Sequence, residues 1–98
     1  MTDYDHTQID EVIHSRLRLA IMAALMAVER MEFTALRETV KATDGNLSTH
    51  LRKLEEVNYV QMDKRFVDRK PRTECALTDT GRAAFRAYVA CLEALVRS

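Results

Sequence analysis

The run from Thr43 to Arg72 constrains the fold most, because it predicts a short helix with one polar face followed directly by a basic β-hairpin. Thr43 is a residue type favoured at helix N-caps, and Asp44 follows in the first turn, where negative charge suits the helix dipole. Apolar residues with helical spacing mark the inward face: Leu47, Leu51 and Leu54. His50 lies beside this stripe, where we expect it to be half-buried in the packing.

The opposite face of this predicted helix, Asp44 to Val57, begins with small groups and ends with a guanidinium: Gly45, Ser48, Thr49 and Arg52. A helix of this kind can enter a major groove, because its N-terminal half can approach closely and Arg52 can reach a base edge or a phosphate. Asn46 and Lys53 flank the face, and phosphate contact is the expected role for both.

The predicted hairpin follows at once. Asn58 suits a left-handed helix C-terminus, and residues 59–66 alternate in polarity as a strand does. Residues 67–70 form a polar turn, after which residues 72–77 return as the second strand. Pro71 suits the edge of a sheet, where its missing N–H costs little. Basic residues crowd the tip and its stems, where they can follow phosphates or enter a minor groove: Lys64, Arg65, Arg69, Lys70 and Arg72.

Further helices are predicted on both sides of this run. Residues 1–7 form a flexible end, and Ile9, Val12 and Ile13 mark a short first helix. Ser15 caps a second, strongly apolar helix. Phe33 is expected in a short strand that joins the hairpin. A helix capped by Thr34 then spans residues 34–40, and residues 41–42 form a tight turn into the polar-faced helix.

A last helix is predicted from Thr78 to about residue 97, with capping oxygens from Thr78 and Asp79. Apolar residues in a 3-4-3 spacing run along it: Phe85, Tyr88, Leu92 and Leu95. This spacing fills two heptads of a helix–helix seam, which is too short for a free coiled coil. The helix must therefore pack on another element or on a second chain.

Four segments, taken in order, resemble the winged helix-turn-helix transcriptional regulators, in particular the small single-domain MarR/ArsR-like group. The segments are residues 47–55 (LSTHLRKLE), 59–60 (YV), 69–73 (RKPRT) and 77–82 (LTDTGR). The likeness covers roughly residues 8 to 97. It departs from many relatives at Val57-Asn58, where they have a small residue and glycine, but Asn tolerates the same backbone conformation.

The resemblance implies a mainly α fold with a small β-hairpin wing, in one domain of residues 1–98 whose C-terminal helix, residues 78–97, builds a two-fold dimer. It implies a sequence-specific regulator that binds double-stranded DNA as a homodimer. Its recognition helix would lie in the major groove and its wing on the flanking backbone or minor groove. The DNA-facing residues would then be Thr43, Gly45, Asn46, Ser48, Thr49, Arg52, Lys53 and the five basic wing residues. The dimer interface would be Phe85, Tyr88, Leu92 and Leu95.

Composition agrees with a small globular domain of 98 residues with 47% hydrophobic residues. No apolar run approaches the roughly 20 residues of a membrane helix, and residues 1–13 lack a secretion signal, so we expect a cytoplasmic protein without a membrane partner. The formal net charge is zero. Residues 1–15 nevertheless carry −4, whereas residues 52–72 carry seven basic against four acidic residues, a net +3. Basic charge is thus placed where the helix and wing would face DNA.

Other functions have less support in the sequence. With Gly45 and Gly81 as its two glycines, the chain has no phosphate-cradling loop, and no nucleophile–base pair or apolar carboxylate pair indicates an enzyme. No clustered ligands indicate a metal, and no cofactor is expected. Cys75 and Cys91 could form a redox switch, although small buried hydrophobes are the commoner role for such cysteines. A small-molecule effector is compatible with the resemblance, but no residue set identifies one.

The alternative function is a winged-helix protein-interaction module without specific DNA binding, which the zero net charge favours.

Overall fold

A computed structural model describes residues 5–97 of the chain. A 3-10 helix, His6–Gln8, precedes four α-helices and three strands. In chain order these are α1 (Arg16–Met26), β1 (Met31–Glu32), α2 (Phe33–Val40), α3 (Asp44–Glu56), β2 (Val60–Val67), β3 (Lys70–Leu77) and α4 (Asp79–Arg97). This order confirms the predicted fold class, a mainly α winged helix-turn-helix with a β-hairpin wing formed by β2 and β3.

The core lies where α1, α2 and α3 meet one face of the sheet. Each element contributes fully or nearly fully buried side chains: Ile21, Met22 and Leu25 from α1, Leu36 from α2, Leu47, Leu51 and Leu54 from α3, and Val60, Cys75 and Leu77 from the sheet. The three leucines of α3 are those that the helical spacing assigned to its inward face. Their burial fixes the opposite face of α3 toward solvent.

The sheet is antiparallel in the order β1-β3-β2, and β1 pairs only with the inner end of β3, at Cys75 and Glu74. The wing strands pair from Val60↔Leu77 to Val67↔Lys70, so the hairpin closes through Asp68 and Arg69 alone. Both turn residues have positive φ, 52° and 66°, as a type I′ turn requires. The predicted turn of residues 67–70 is confirmed as a four-residue β-turn, and both strands extend to its outer residues.

The short helix predicted around residues 9–13 was wrong, whereas Ser15 begins α1 as predicted. The segment marked by Ile9 and Ile13 is a turn after the 3-10 helix, since Asp10 caps the backbone N–H groups of Val12 and Ile13 at 2.8 and 3.2 Å. Ser15 is the N-cap of α1, but its side chain makes no capping hydrogen bond. Of the predicted flexible end, residues 1–4 lie outside the described residues, Asp5 is the N-cap of the 3-10 helix, and residues 6–7 lie in that helix.

Two boundaries around the short strand also differ from the prediction. The strand is Met31–Glu32, and Phe33 begins α2 instead of lying in the strand. Glu32 is consequently the N-cap of α2, two residues before the predicted cap Thr34. Periodicity located the helix correctly, but its first residue was set by the pairing of Glu32 with the distant Glu74.

The segment Leu77–Arg82 ties α4 to the rest of the domain. Thr78 caps α4 as predicted, because its Oγ1 accepts from the Gly81 N–H at 2.9 Å. The same hydroxyl donates to the Asn58 carbonyl at 2.6 Å. Arg82 donates to the carbonyls of Met26 and Val28, at 3.3 and 2.9 Å, and so satisfies the C-terminal end of α1. One short motif thereby joins α1, the end of α3 and α4.

Within residues 5–97, no helix combines the length and the apolar character that a membrane span requires.

Candidate nucleic-acid interface

The polar face of α3 is presented by a tight turn and a cap. Lys41 adopts a left-handed conformation, φ 56°, which ends α2 and reverses the chain toward α3. Thr43 is the N-cap as predicted, since its Oγ1 accepts from the Asn46 N–H at 3.1 Å. Arg37 of α2 donates to Asp44 at 2.6 Å, and this hydrogen bond raises the pKa of the guanidinium. The two helices of the helix-turn-helix are thus fixed at the point where α3 begins.

The residues assigned to the recognition face lie on the open side of α3. Gly45, Asn46, Thr49, Arg52 and Lys53 are exposed, and Ser48 is half-buried. A methyl group added at Gly45 would meet no atom of the described residues within 4 Å. The helix itself ends at Glu56, with the predicted last residue Val57 as its C-cap. The exposed face of α3 therefore carries small residues in its first half and the cations Arg52 and Lys53 in its second half.

The back of α3 is held by Arg18 of α1. One guanidinium nitrogen of Arg18 lies 2.9 Å from His50 Nδ1, and Nε donates to the Val12 carbonyl. Burial, then the positive charges of Arg18 and Lys53, lower the pKa of His50. The half-buried position predicted for His50 is confirmed, and its neutral ring accepts from Arg18.

A cleft of about 350 Å³ separates α3 from the wing. It is lined by Phe33, Ser48, Arg52, Glu55, Met62, Lys64 and Thr73. Two cations predicted to face DNA, Arg52 of the helix and Lys64 of β2, therefore share one concave surface. Glu55 is the acidic member of the lining, one turn beyond Arg52. This cleft makes the helix face and one wing face a continuous surface.

The five basic residues of the wing fall into two groups. Arg65 pairs with Glu74 at 3.0 Å, and Arg72 pairs with Glu32 of β1. The side chains of Lys64, Arg69 and Lys70 make no hydrogen bond or ion pair with any of the described residues. Because a cation bonded to a carboxylate is less available to a phosphate, the second group is better suited to contact DNA.

The predicted dimer residues occupy different depths along α4. Tyr88 is only 3% exposed, and its hydroxyl lies 2.8 Å from His14 Nδ1. Phe85 and Leu92 pack against the core cluster while remaining half-buried, and Leu95 is also half-buried. Tyr88 is therefore mostly a core residue within the chain itself.

An apolar groove of about 300 Å³ runs along the second half of α4. Its apolar lining is Leu19, Tyr88, Val89, Leu92 and Val96. Val96 is 80% exposed and Val89 36%. The sequence reasoning missed Leu19, Val89 and Val96, although the spacing of Val89, Leu92 and Val96 at i, i+3 and i+7 carried the signal.

The two thiols are free, Cys75 buried and Cys91 half-buried. Burial raises the pKa of Cys75 to about 11, and the charge of Glu55 adds to this effect. Cys75 is therefore a protonated core residue at neutral pH. Among residues 5–97, no group of three or more His, Cys, Asp or Glu side chains could hold a metal ion.

Comparison with known proteins gives consistent matches. Residues 17–96 match the family model described as a winged helix DNA-binding domain. An uncharacterised protein of Methanocaldococcus jannaschii is 38% identical over 79 residues, which cover 81% of this chain and 86% of that protein.

Solved structures agree with that match. The structure of a transcriptional regulator homologue from Pyrococcus horikoshii OT3 superposes with a TM-score of 0.85 at 30% identity, covering 90% of this chain and 87% of that one. A structure described as a MarR-family regulator from Enterococcus faecalis V583 gives a TM-score of 0.74 at 24% identity, over 84% and 74% of the two chains, and supports the fold alone.

Proposed function

The chain belongs to the winged helix DNA-binding domain family, and on that premise we propose that it is a sequence-specific transcriptional regulator that binds double-stranded DNA as a homodimer. In this proposal α3 enters the major groove and the wing lies on the flanking backbone or minor groove. Arg52 reads a base edge, and Ser48 and Thr49 contact bases or phosphates according to the register of the helix in the groove.

One observation carries the proposal most directly. The open face of α3 and the unpaired wing cation Lys64 lie on the same side of the molecule, since both Arg52 and Lys64 line the cleft between helix and wing. A duplex placed on this side would meet α3 and the wing together. Cations that neutralise phosphates supply most of the sequence-independent affinity, whereas the α3 face would supply discrimination between sequences.

Ion pairing refines the roles of the basic residues. Lys64, Arg69 and Lys70 are the proposed phosphate contacts of the wing, together with Asn46 and Lys53 at the edges of α3. Arg65 and Arg72 have carboxylate partners, so their contribution to DNA affinity would require exchange of those partners for phosphates. Both remain in the proposed interface, with smaller expected effects.

The proposed homodimer uses the second half of α4. Exposed valines beside Leu92 leave an apolar surface that a second copy of the same helix can cover, and the 3-4 spacing is that of a helix–helix seam. Phe85, Leu92 and Leu95 remain proposed interface residues, and Val89 and Val96 join them. Tyr88 is buried in the core beneath these residues and would contribute to the interface by holding α4 in place. Two-fold symmetry then predicts a pseudo-palindromic operator with half-sites about one helical turn apart or a multiple of that.

The alternative function is a winged-helix module that binds another protein through the same face. Its supporting observation is the formal net charge of zero, together with the two wing arginines that are already neutralised by carboxylates. DNA binding is favoured over it because Lys64, whose side chain has no ionic partner among the described residues, shares the cleft beside α3 with Arg52. A small-molecule effector is compatible with either role, and none of the described clefts assigns one.

The test is selection of bound genomic fragments by the purified protein, at about 50 mM and about 200 mM salt. The proposal expects a recurrent two-fold motif that survives the higher salt. Loss of all binding at the higher salt, or retention of fragments without a common motif, would contradict sequence-specific regulation and favour the protein-interaction module.

A further inference from the structure

Phe66 is the most exposed large apolar side chain of the wing: 78% of it is exposed, against 37% of its neighbour Val67. It stands opposite Pro71, one residue pair before the Val67↔Lys70 pair that closes the turn. Aromatic rings bury large apolar areas when they have a partner, and the tips of exposed hairpins usually carry polar or charged residues instead. An exposed phenyl ring at this place can therefore bury apolar surface by contacting a molecule outside the chain.

Strand alternation places Phe66 on the same wing face as the cleft. Successive side chains of a strand point to opposite faces, so Val60, Met62, Lys64 and Phe66 share one face of β2. Val60 is buried in the core, and Met62 and Lys64 line the cleft with Arg52 of α3. Phe66 lies roughly 7 Å farther out than Lys64, at about 3.3 Å per residue. The ring thus extends the proposed DNA-facing surface beyond the recognition helix.

The charges around the ring differ between the two faces of the wing. On the face of Phe66, the register places Lys64 opposite Thr73 and Phe66 opposite Pro71, with no carboxylate in these pairs. The other face carries Glu74, which pairs with Arg65. The tip adds Arg69 in the turn and Lys70 opposite Val67 on the other face, against the single carboxylate of Asp68. The face of the ring therefore carries the cation Lys64, and the tip beyond it has a net positive charge that suits a polyanion.

The wing holds the ring on a stiff support. β2 and β3 stay in register to the last pair, and the turn needs only the left-handed residues Asp68 and Arg69. Pro71 fixes its own φ and stands across from the ring. A side chain on such a support loses little conformational entropy when it is inserted into a partner.

Apolar side chains inserted from the minor groove are known to separate base steps partially and to kink the duplex, while Lys and Arg hold the adjacent phosphates. We propose that Phe66 is a wedge of this kind, which enters the minor groove beside the α3 site and bends the DNA. The inference rests on the proposed DNA-binding function and adds a specificity element to it. Flexible pyrimidine–purine steps, such as TA and CA, would be preferred beneath the wing, because they unstack at the lowest cost.

The test uses the full-length protein and its selected operator, with 2-aminopurine substituted at successive steps under the wing and a donor–acceptor dye pair at the duplex ends. Phe66→Ala is compared with Val67→Ala, a neighbour on the opposite wing face, and with Phe66→Leu, which keeps an apolar group. The expected result is a rise in 2-aminopurine fluorescence and a shortened end-to-end distance for the wild type and for Val67→Ala. Phe66→Ala should lose both and bind about tenfold more weakly, with Phe66→Leu between.

The outcomes separate the wedge from the function on which it rests. A wild type that binds its operator specifically without unstacking or bending it would overturn the wedge and leave the regulator intact. Equal effects of Phe66→Ala and Val67→Ala would do the same. A wild type that selects no specific sequence would overturn the proposed function and, with it, the wedge.

Discussion

Gly81 of α4 lies directly against the backbone of Tyr59, so close that a methyl group at Gly81 would stand 2.8 Å from the Tyr59 carbonyl carbon and 3.0 Å from its Cα. Thr78 reinforces the contact by donating its N–H to the Tyr59 carbonyl at 3.1 Å. The start of α4 is thereby seated on the residue that joins α3 to the wing.

Gly81→Ala should therefore destabilise the fold by about 2 kcal/mol or more, because the added methyl group overlaps backbone atoms that cannot rotate away. Chemical denaturation followed by circular dichroism measures this change. A loss below about 0.5 kcal/mol, the usual range of surface substitutions, would show that α4 can shift on the wing base.

Gly45→Ala is predicted to have the opposite effect on stability. Its methyl group meets open space, and alanine in a helix is favoured over glycine by about 0.5–1 kcal/mol. If the start of α3 approaches DNA closely, the same variant should bind its operator more weakly even though it is more stable. Thermal melts and operator titrations measure the two effects, and a stabilised variant with unchanged affinity would place Gly45 away from the duplex.

His50 should make stability depend on pH below neutrality. Burial lowers the pKa of His50, so the fold favours the neutral ring that accepts from Arg18. The resulting stabilisation is complete above the unfolded pKa of about 6.5 and is lost as pH falls through the lower folded value.

The prediction is that His50→Gln has a smaller loss of melting temperature between pH 7 and pH 5 than the wild type. His6→Gln, at an exposed position of the 3-10 helix, is the control and should keep the wild-type slope. Identical slopes for the wild type and His50→Gln would show that the Arg18–His50 contact does not carry the pH dependence.

The helical framework was largely predictable from local signals, because caps and apolar spacing act within a few residues. Thr43, Asn58 and Thr78 were assigned correctly as helix-end residues on these grounds, and Asn58 has the expected positive φ of 62°. The sequence did not predict which residues far apart in the chain would contact each other. The ion pair of Arg72 with Glu32 depends on the register of β1, and the burial of Tyr88 depends on how α4 crosses the core.

Wrong predictions also arose in short segments of secondary structure. The apolar residues Ile9, Val12 and Ile13 are compatible with one turn of helix or with a capped turn, and periodicity over so few residues does not separate the two. Asp10 decided the outcome by capping the turn and by accepting the Tyr59 hydroxyl at 2.5 Å. In the candidate site, the alternation of polar and apolar residues placed Phe66 in a wing strand. Its exposure became clear only from the structure, in which the hairpin extends beyond the core.

A charged residue introduced into the apolar groove of α4 should prevent dimerisation. Val96→Asp should convert the proposed dimer to a monomer at micromolar concentration, because a carboxylate would be buried in the apolar seam. Val57→Asp, which changes an exposed valine after α3, is the control and should leave the dimer intact. Sedimentation velocity measures both variants, and a wild-type monomer would refute the dimer whatever the variants do.

The most direct test of the central claim, that α3 reads DNA sequence, is the affinity of Arg52→Ala for the selected operator and for a scrambled duplex of equal length. The predicted result is a roughly 10- to 100-fold loss on the operator, as expected for one base-reading arginine, with a much smaller loss on the scrambled duplex. Lys70→Ala, which removes a wing cation, should weaken both duplexes equally and flatten the salt dependence by about one unit. Equal losses on both duplexes for Arg52→Ala would show that Arg52 contacts only phosphate and would contradict the proposed reading of sequence by α3.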